Sequence, residues 1–148
     1  MQKERGGFTL VELMVVAIIV AILAAVAIPL MTGNKKRAAA TEAEAGLGMI
    51  RSAMRAMYAQ TGAYNTNLNG VAIVAGTSFH TNGIAGVQGN DLDGRYFSGE
   101  AYTLDAVAGS SYRVKAVGDS PNIASNKTDV AGITITLDES GNFSRTGM

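Results

Sequence analysis

Residues 6–31 read GGFTLVELMVVAIIVAILAAVAIPLM, an apolar stretch near the start of the chain that contains a single charged residue, Glu12. Residues 13–31 carry no charge at all. At a rise of about 1.5 Å per residue, a helix over these positions spans roughly the 30 Å hydrocarbon core of a bilayer. A carboxylate at the edge of such a helix costs about 2–3 kcal/mol to insert into the membrane. This cost indicates that Glu12 pairs with another group or has a function.

Two ordinary kinds of segment explain this stretch only in part. A secretory signal peptide has a basic region, an apolar core of about 7–15 residues and a cleavage site between small residues. Here the apolar stretch is longer and no clear site of that kind follows Met31. A plain membrane anchor accounts for the length, but it gives no reason for the acid at Glu12 or for the glycine pair ahead of Phe8.

The order GFTLVE over residues 7–12, followed by the apolar stretch and Pro29, resembles the N-terminus of the type IV pilin family and of its pseudopilin relatives in type II secretion. The resemblance implies that a membrane prepilin peptidase cuts between Gly7 and Phe8 and methylates the new amine of Phe8. Glu12 is then the fifth residue after the cut, where the family has its acid. Residues 1–7 become a leader that is removed.

The spacing of Phe8 and Glu12 supports a role in subunit assembly. The two residues are four apart, so on a helix they share a face, and the amine of Phe8 can reach the Glu12 carboxylate. The resemblance implies a second arrangement, in which the acid of an incoming subunit meets the amine of one already assembled. Because an unpaired carboxylate near hydrocarbon is costly, pairing favours the filament over the isolated subunit. The alternative is that Glu12 only extends toward the headgroups.

Pro29 is expected to interrupt the hydrogen bonding of the helix. A proline inside a helix removes one backbone hydrogen bond and costs about 3 kcal/mol, and Gly33 weakens the same region. We predict a kink or a weak turn at these positions. The resemblance implies that the segment can stretch within a filament; the alternative is that the kink only curves a long helix.

Apolar residues beyond the first segment predict that the helix continues to about residue 61. They recur at alternating steps of three and four, as on one face of a helix. They are Ala40, Ala43, Leu47, Ile50, Met54 and Met57. We expect this face to pack on the chain's own sheet, with a partner helix or lipid as the minor alternative. Thr61-Gly62 predicts the end of the helix.

Alternating apolar and polar residues predict an antiparallel sheet in the C-terminal third. Residues 112–116 and 133–137 alternate in this way, and further strands are expected from Tyr102 and at Phe143. Residues 62–100 predict a long irregular connection with one short strand at residues 71–74. The fold class is α+β: a long N-terminal helix, half transmembrane and half packed on a head, and an antiparallel sheet of three to four strands, which is pilin-like in outline.

These boundaries divide the chain into a leader over residues 1–7, an apolar helix over residues 8–34 and a head over residues 35–148. Counting basic residues would place the C-terminal side in the cytoplasm, because Lys35, Lys36 and Arg37 follow the apolar helix closely. The resemblance implies the opposite orientation. It places the chain in the inner membrane, crossing once, before assembly, and afterwards in a filament outside the cell.

Composition and scattered motifs give no support for catalysis. The 148 residues have zero net charge, so nothing indicates electrostatic capture of nucleic acid. His80, the only histidine, has no acid or cysteine beside it in the sequence and is expected to be a solvated loop residue. Residues 90–94 have oxygen ligands at a spacing that Ca²⁺ uses, but they lack the later glutamate of an EF-hand, so a turn is favoured. We predict no metal site and no cofactor.

Two further patterns concern modification and cross-linking. Residues 126–128 and 142–144 fit the weak N-glycosylation pattern. The chain has no cysteine, whereas many members of the family close a C-terminal loop with a disulfide. That loop is therefore absent here or held in another way.

The resemblance implies a structural subunit that forms a homopolymer, an extracellular type IV pilus. It also implies an assembly ATPase and an inner-membrane platform protein as indirect partners. One alternative is a pseudopilin of a type II secretion system, but the major pseudopilin typically has a Trp-Gly motif and this chain has no tryptophan. The other alternative is a membrane-tethered binding module or minor pilin, whose helix only anchors it. Adhesion, motility, DNA uptake and conduction stay open as roles of such a pilus.

Overall fold

The structure is a computed structural model that describes residues 7–82, 84–118 and 130–148. Most of the leader and the glycosylation pattern at residues 126–128 lie outside the described residues. The chain divides into two compact units, Met1–Asn34 and Lys35–Met148. Its first and longest element, helix α1, covers Leu10–Thr61 and contributes residues to both units.

The N-terminal part of α1 is apolar and exposed. Over an 18-residue window the mean hydropathy reaches 3.1, with none of that window buried. Among the described residues, α1 is the one helix whose length and composition suit a membrane crossing, although a signal sequence would pass the same test. The helix continues without a break through Pro29 and Gly33. The Thr32 hydroxyl donates to the Pro29 carbonyl oxygen at 2.9 Å, beside the position where proline removes a backbone donor.

In the second unit α1 has one fully buried face. The predicted apolar face is confirmed, and Ala39 joins it: Ala39, Ala40, Ala43, Leu47, Ile50, Met54 and Met57 are all at most 5% exposed. The helix ends where the sequence predicts, because Gly62 has a φ of 74° and donates its N–H to the Tyr58 carbonyl oxygen at 2.8 Å. Glycine adopts this left-handed conformation without the penalty that a Cβ would bring.

In the part of the chain that the structure describes, four antiparallel strands form a sheet in which each strand pairs with the next. They are β1 (Tyr102–Val107), β2 (Tyr112–Val117), β3 (Thr134–Asp138) and β4 (Phe143–Thr146). Their inward-facing residues, among them Leu104, Val114 and Ile135, are fully buried and belong to one cluster with the buried face of α1. The predicted α+β class and the predicted antiparallel sheet are therefore confirmed, with the sheet at the upper end of the expected strand number.

The connection between α1 and the sheet holds short helical elements. Helix α2 covers Phe79–Asn82, and 3-10 turns occupy Ile84–Gly86, Gly89–Leu92 and Gly99–Ala101. Apolar side chains of this connection, including Phe79 and Phe97, are completely buried and fix it to the head. The connection is thus irregular, as predicted, but firmly packed.

The predicted strand at residues 71–74 is wrong. The structure has only an isolated bridge there, between Thr66 and Ala72. A tight turn closes one end of this bridge, because the Asn67 side-chain oxygen accepts the N–H groups of Asn69 at 3.0 Å and Val71 at 2.9 Å. Side-chain hydrogen bonds of this kind compete with strand pairing for the backbone donors.

Candidate processing and assembly site

The peptide between Gly7 and Phe8 lies outside regular structure. Residues 7–9 precede α1, and the Phe8 residue is 83% exposed. A Cβ added to Gly7 would meet no described atom within 4 Å, and the backbone there is not among those with positive φ. The fold of this chain therefore makes no steric demand for glycine at position 7.

Thr9 and Glu12 form a reciprocal cap at the start of α1. The N–H of Thr9 donates to Glu12 Oε2 at 2.8 Å and the Thr9 hydroxyl donates to the same oxygen at 2.7 Å. In return, the N–H of Glu12 donates to Thr9 Oγ1 at 3.3 Å. This is a capping box, in which two of the backbone donors that a helix start leaves without helical partners are satisfied.

The Glu12 carboxylate retains acceptor capacity. Both contacts from Thr9 use Oε2, and no hydrogen bond to Oε1 occurs among the described residues. A carboxylate offers about four acceptor positions. An incoming cationic group can therefore bind Glu12 without displacing Thr9.

Phe8 lies outside the helix that carries Glu12. The helix begins at Leu10, so Phe8 precedes the capping residue Thr9 and does not share a helical face with Glu12. The physical reason is the cap itself, since an N-cap residue has non-helical backbone angles and Phe8 lies before it. The role of Thr9 was missed in the sequence, although Thr-x-x-Glu ahead of an apolar run is the signal for it.

Pro29 and Gly33 stay within the continuous helix α1. A Cβ at Gly33 would meet no described atom within 4 Å, so this glycine is not needed for close packing within the chain. Both residues lower the helical stability of the segment. Stretching there within a filament stays a prediction.

The acidic residues at positions 91 and 93 act as turn caps. Asp91 Oδ2 accepts the N–H of Gln88 at 3.0 Å, and Asp93 Oδ1 accepts the N–H of Gly99 at 2.7 Å. Within the described ranges, no group of three or more histidine, cysteine, aspartate or glutamate residues could hold a metal ion. The turn that the sequence favours over a calcium loop is the arrangement seen.

His80 has an acidic neighbour that the sequence did not predict. Its Nε2 lies 3.7 Å from Glu100 Oε1, with side chains 38% and 33% exposed. The pair joins α2 to the 3-10 turn at Gly99–Ala101, two segments that are distant in the sequence. At this distance and exposure an ion pair contributes little. Nothing in this arrangement activates a nucleophile.

Asn142, the first residue of the second glycosylation pattern, is engaged in the turn between β3 and β4. Its N–H and side-chain amide donate to the Asp138 carboxylate at 2.8 Å and 3.0 Å. These hydrogen bonds hold the pKa of Asp138 below its usual range. The turn therefore uses the amide that a glycan would occupy.

Comparison with known proteins identifies the N-terminal segment. Residues 2–28 match the family model described as the prokaryotic N-terminal methylation motif. The chain is also 36% identical over 72 residues to the type II secretion system core protein G of Aeromonas hydrophila. That match covers 48% of this chain and 50% of the relative, so the chain spans about half the length of the curated relative it matches.

One solved structure is also similar. The crystal structure of the non-core minor pilin PilV of Neisseria meningitidis matches 71% of this chain and 87% of its own, with 18% identity and a TM-score of 0.33. At that level the similarity bears on neither function nor partners. The N-terminal methylation motif and the exposed apolar part of α1 fit a protein anchored in the inner membrane.

Proposed function

We propose that this chain, a member of the type IV pilin and pseudopilin family, is a structural subunit that prepilin peptidase processes and that polymerises through α1 into an extracellular type IV pilus. The observation that carries the proposal is the N-terminal segment itself. It combines the methylation motif over residues 2–28 with an exposed apolar helix that begins at Leu10 and carries the acid Glu12 in its first turn.

Processing is the first step of this function. Hydrolysis of the exposed peptide between Gly7 and Phe8 releases the leader and leaves a free amine on Phe8, with an unperturbed pKa near 8. N-methylation keeps the positive charge and adds apolar surface. The new terminus then lies one residue before the Thr9–Glu12 capping box, at the membrane interface.

Assembly is favoured because apolar surface exposed to water and an unpaired charge both cost free energy. Removal of the subunit from the bilayer exposes the apolar residues of α1, and neighbouring copies of the same helix can cover them. Glu12 Oε1 accepts a hydrogen bond from the Phe8 amine of an adjacent copy, while Oε2 keeps its hydrogen bonds from Thr9. The ion pair fixes the axial offset between copies. An assembly ATPase and an inner-membrane platform protein are the proposed indirect partners.

A pseudopilin of a type II secretion system is the second candidate. The identity with core protein G favours it, whereas the absence of tryptophan favours the pilus, as the family resemblance implies. A minor pilin or a membrane-tethered binding module would use the same N-terminal segment. All these candidates share processing and differ in where the mature chain accumulates.

The test is to shear cells that produce the chain and compare the fibre and membrane fractions. The pilus proposal predicts that the chain is the dominant protein of the fibres, with a mass that corresponds to residues 8–148 plus one methyl group. Retention in the membrane fraction at that same mass would favour the pseudopilin or the tether. An unprocessed mass in every fraction would contradict the family-based function altogether.

A further inference from the structure

A carboxylate on the head portion of α1 binds three consecutive backbone amides. Glu42 Oε2 accepts the N–H of Arg95 at 3.0 Å, and Glu42 Oε1 accepts those of Tyr96 at 2.8 Å and Phe97 at 2.7 Å. The donors lie 53 to 55 residues further along the chain. Hydrogen bonds to an ionised acceptor are roughly twice as strong as those between neutral groups.

The backbone around these donors is shaped to admit the carboxylate. A Cβ added to Gly94 would collide with Glu42 Oε1 and with its carboxyl carbon, so only glycine fits there without displacing the acid. The N–H of Gly94 closes the turn by donating to the Phe97 carbonyl oxygen at 2.7 Å. The Phe97 side chain is completely buried. The turn is therefore held by Glu42 on its polar side and by Phe97 in the core.

Residues 93–99, which we call the anchored segment, find most of their backbone partners outside the sheet. Glu42 binds three of the amides, and Asp93 Oδ1 binds a fourth, that of Gly99. The strands β1–β4 have their own continuous pairing. Because a buried N–H without a partner is costly, loss of Glu42 leaves three donors that must find water.

We propose that Glu42 is the anchor of a locally releasable segment: without its charge, residues 93–99 detach from α1 while the sheet stays folded. This conformational device is independent of whether the chain forms a filament. It follows from the hydrogen bonds of the segment, four of which end on the carboxylates of Glu42 and Asp93 and are separate from the strand pairing of the sheet. Regions that open locally are those whose backbone bonds lie outside the cooperative core.

The test is fragment-resolved hydrogen exchange on the full-length chain in detergent micelles, with Glu42→Gln as the main variant. Glutamine has nearly the same size, but its NH₂ group is itself a donor and faces a backbone N–H. We expect exchange across residues 93–99 to accelerate at least about tenfold. Exchange in β2 and β3 is expected to change by less than about twofold. Gly94→Ala, which displaces the carboxylate from the other side, is expected to give the same pattern.

Glu44→Gln is the matched control, because Glu44 lies on the same helix and pairs with Arg145 instead. It is expected to leave exchange across residues 93–99 unchanged. The proposal is overturned if Glu42→Gln leaves that exchange within about twofold of the wild type, since packing alone would then hold the segment. It is equally overturned if Glu42→Gln or Gly94→Ala accelerates the sheet as much as the segment, or prevents folding.

Discussion

Two glutamates of α1 differ in how their carboxylates are occupied. Glu12 uses one oxygen to cap its own helix, and its other oxygen has no hydrogen bond among the described residues. Glu42 has both oxygens filled by backbone N–H groups of a distant segment. The Glu12 carboxylate can therefore still bind a cation, whereas the Glu42 carboxylate stabilises the fold of the head.

The sequence could reveal one of these arrangements but not the other. The Thr9–Glu12 cap is local, and its spacing is a recognisable signal. The partners of Glu42 are main-chain donors more than fifty residues away, and backbone N–H groups carry no residue-specific signal. Only the need for glycine at Gly94 marks the site, and glycine is common throughout that connection.

Asp105 on the outer side of the sheet gives a prediction about pH. Arg113, at 2.6 Å, and Lys115, at 3.0 Å, hold the pKa of this carboxyl below its usual value of 3.8. A lowered pKa in the folded state means that the charged form stabilises the fold above the unfolded pKa, and that this contribution is lost as the pH falls through the folded pKa.

Asp105→Asn is therefore expected to lower the free energy of unfolding by about 0.5–1 kcal/mol at pH 7, since both partners are partly exposed and screened. The difference from the wild type should shrink as the pH falls below about 3.8. Urea unfolding of both proteins from about pH 2.5 to about pH 7 measures this difference on both sides of the ordinary aspartate pKa. A difference that stays constant over that range would contradict the ion-pair explanation.

Helix α1 has an apolar face in the core and, beside it, a second face that contacts both the connection and β1. The apolar face that packs in the core is readable from the sequence because its period follows the helix. The second face includes Glu42 and, one turn later, Gly46, where a Cβ would lie 2.5 Å from the Tyr102 hydroxyl. Burial raises the pKa of Tyr102, which is only 1% exposed, and the charge of Glu42 adds to that effect.

Two glycines two residues apart on α1 make a matched pair for a stability measurement. Alanine in place of glycine inside a helix normally stabilises it by about 1 kcal/mol. We expect that gain for Gly48→Ala, because a Cβ there meets nothing within 4 Å. Gly46→Ala should instead destabilise the head by about 1–3 kcal/mol, since the Tyr102 ring must move. Chemical unfolding of both variants tests this, and equal shifts of the same sign would contradict it.

Elements whose apolar residues follow the period of a helix or strand could be predicted, whereas the turn held by the Asn67 side chain could not. The alternation of β2 and β3 identified both strands because one face of the sheet is buried. Residues 71–74 look like a strand in the sequence, yet Val71 and Val74 are 59% and 63% exposed. The Val71 N–H donates to the Asn67 side chain and the Ile73 N–H donates to the Asn65 carbonyl oxygen, so only one bridge forms. Apolar composition alone does not make a strand without a neighbouring edge to pair with.

In the whole molecule, the two units have different roles in the proposed function. The first unit supplies processing and assembly through an exposed apolar helix. The second unit has its own core, formed by one face of α1, the connection and the sheet. In the proposed function, polymerisation depends on the first unit. Substitutions within the head core should therefore change stability without altering processing between Gly7 and Phe8.

In the proposed function, the charge of Glu12 drives assembly in addition to its role in the helix cap. Glu12→Gln separates the two roles, because the glutamine carbonyl can still accept the hydrogen bonds from Thr9. The measurement is the amount of each chain in sheared fibres relative to the membrane fraction, with the mass of the mature chain recorded. Glu44→Gln is the control for loss of a negative charge elsewhere on α1 and should assemble normally.

We predict that Glu12→Gln is processed after Gly7 and reaches the membrane in normal amounts, but falls at least about tenfold in the fibre fraction, because the amine of the adjacent copy has no anionic partner. Fibres that contain Glu12→Gln in wild-type amounts would contradict the account.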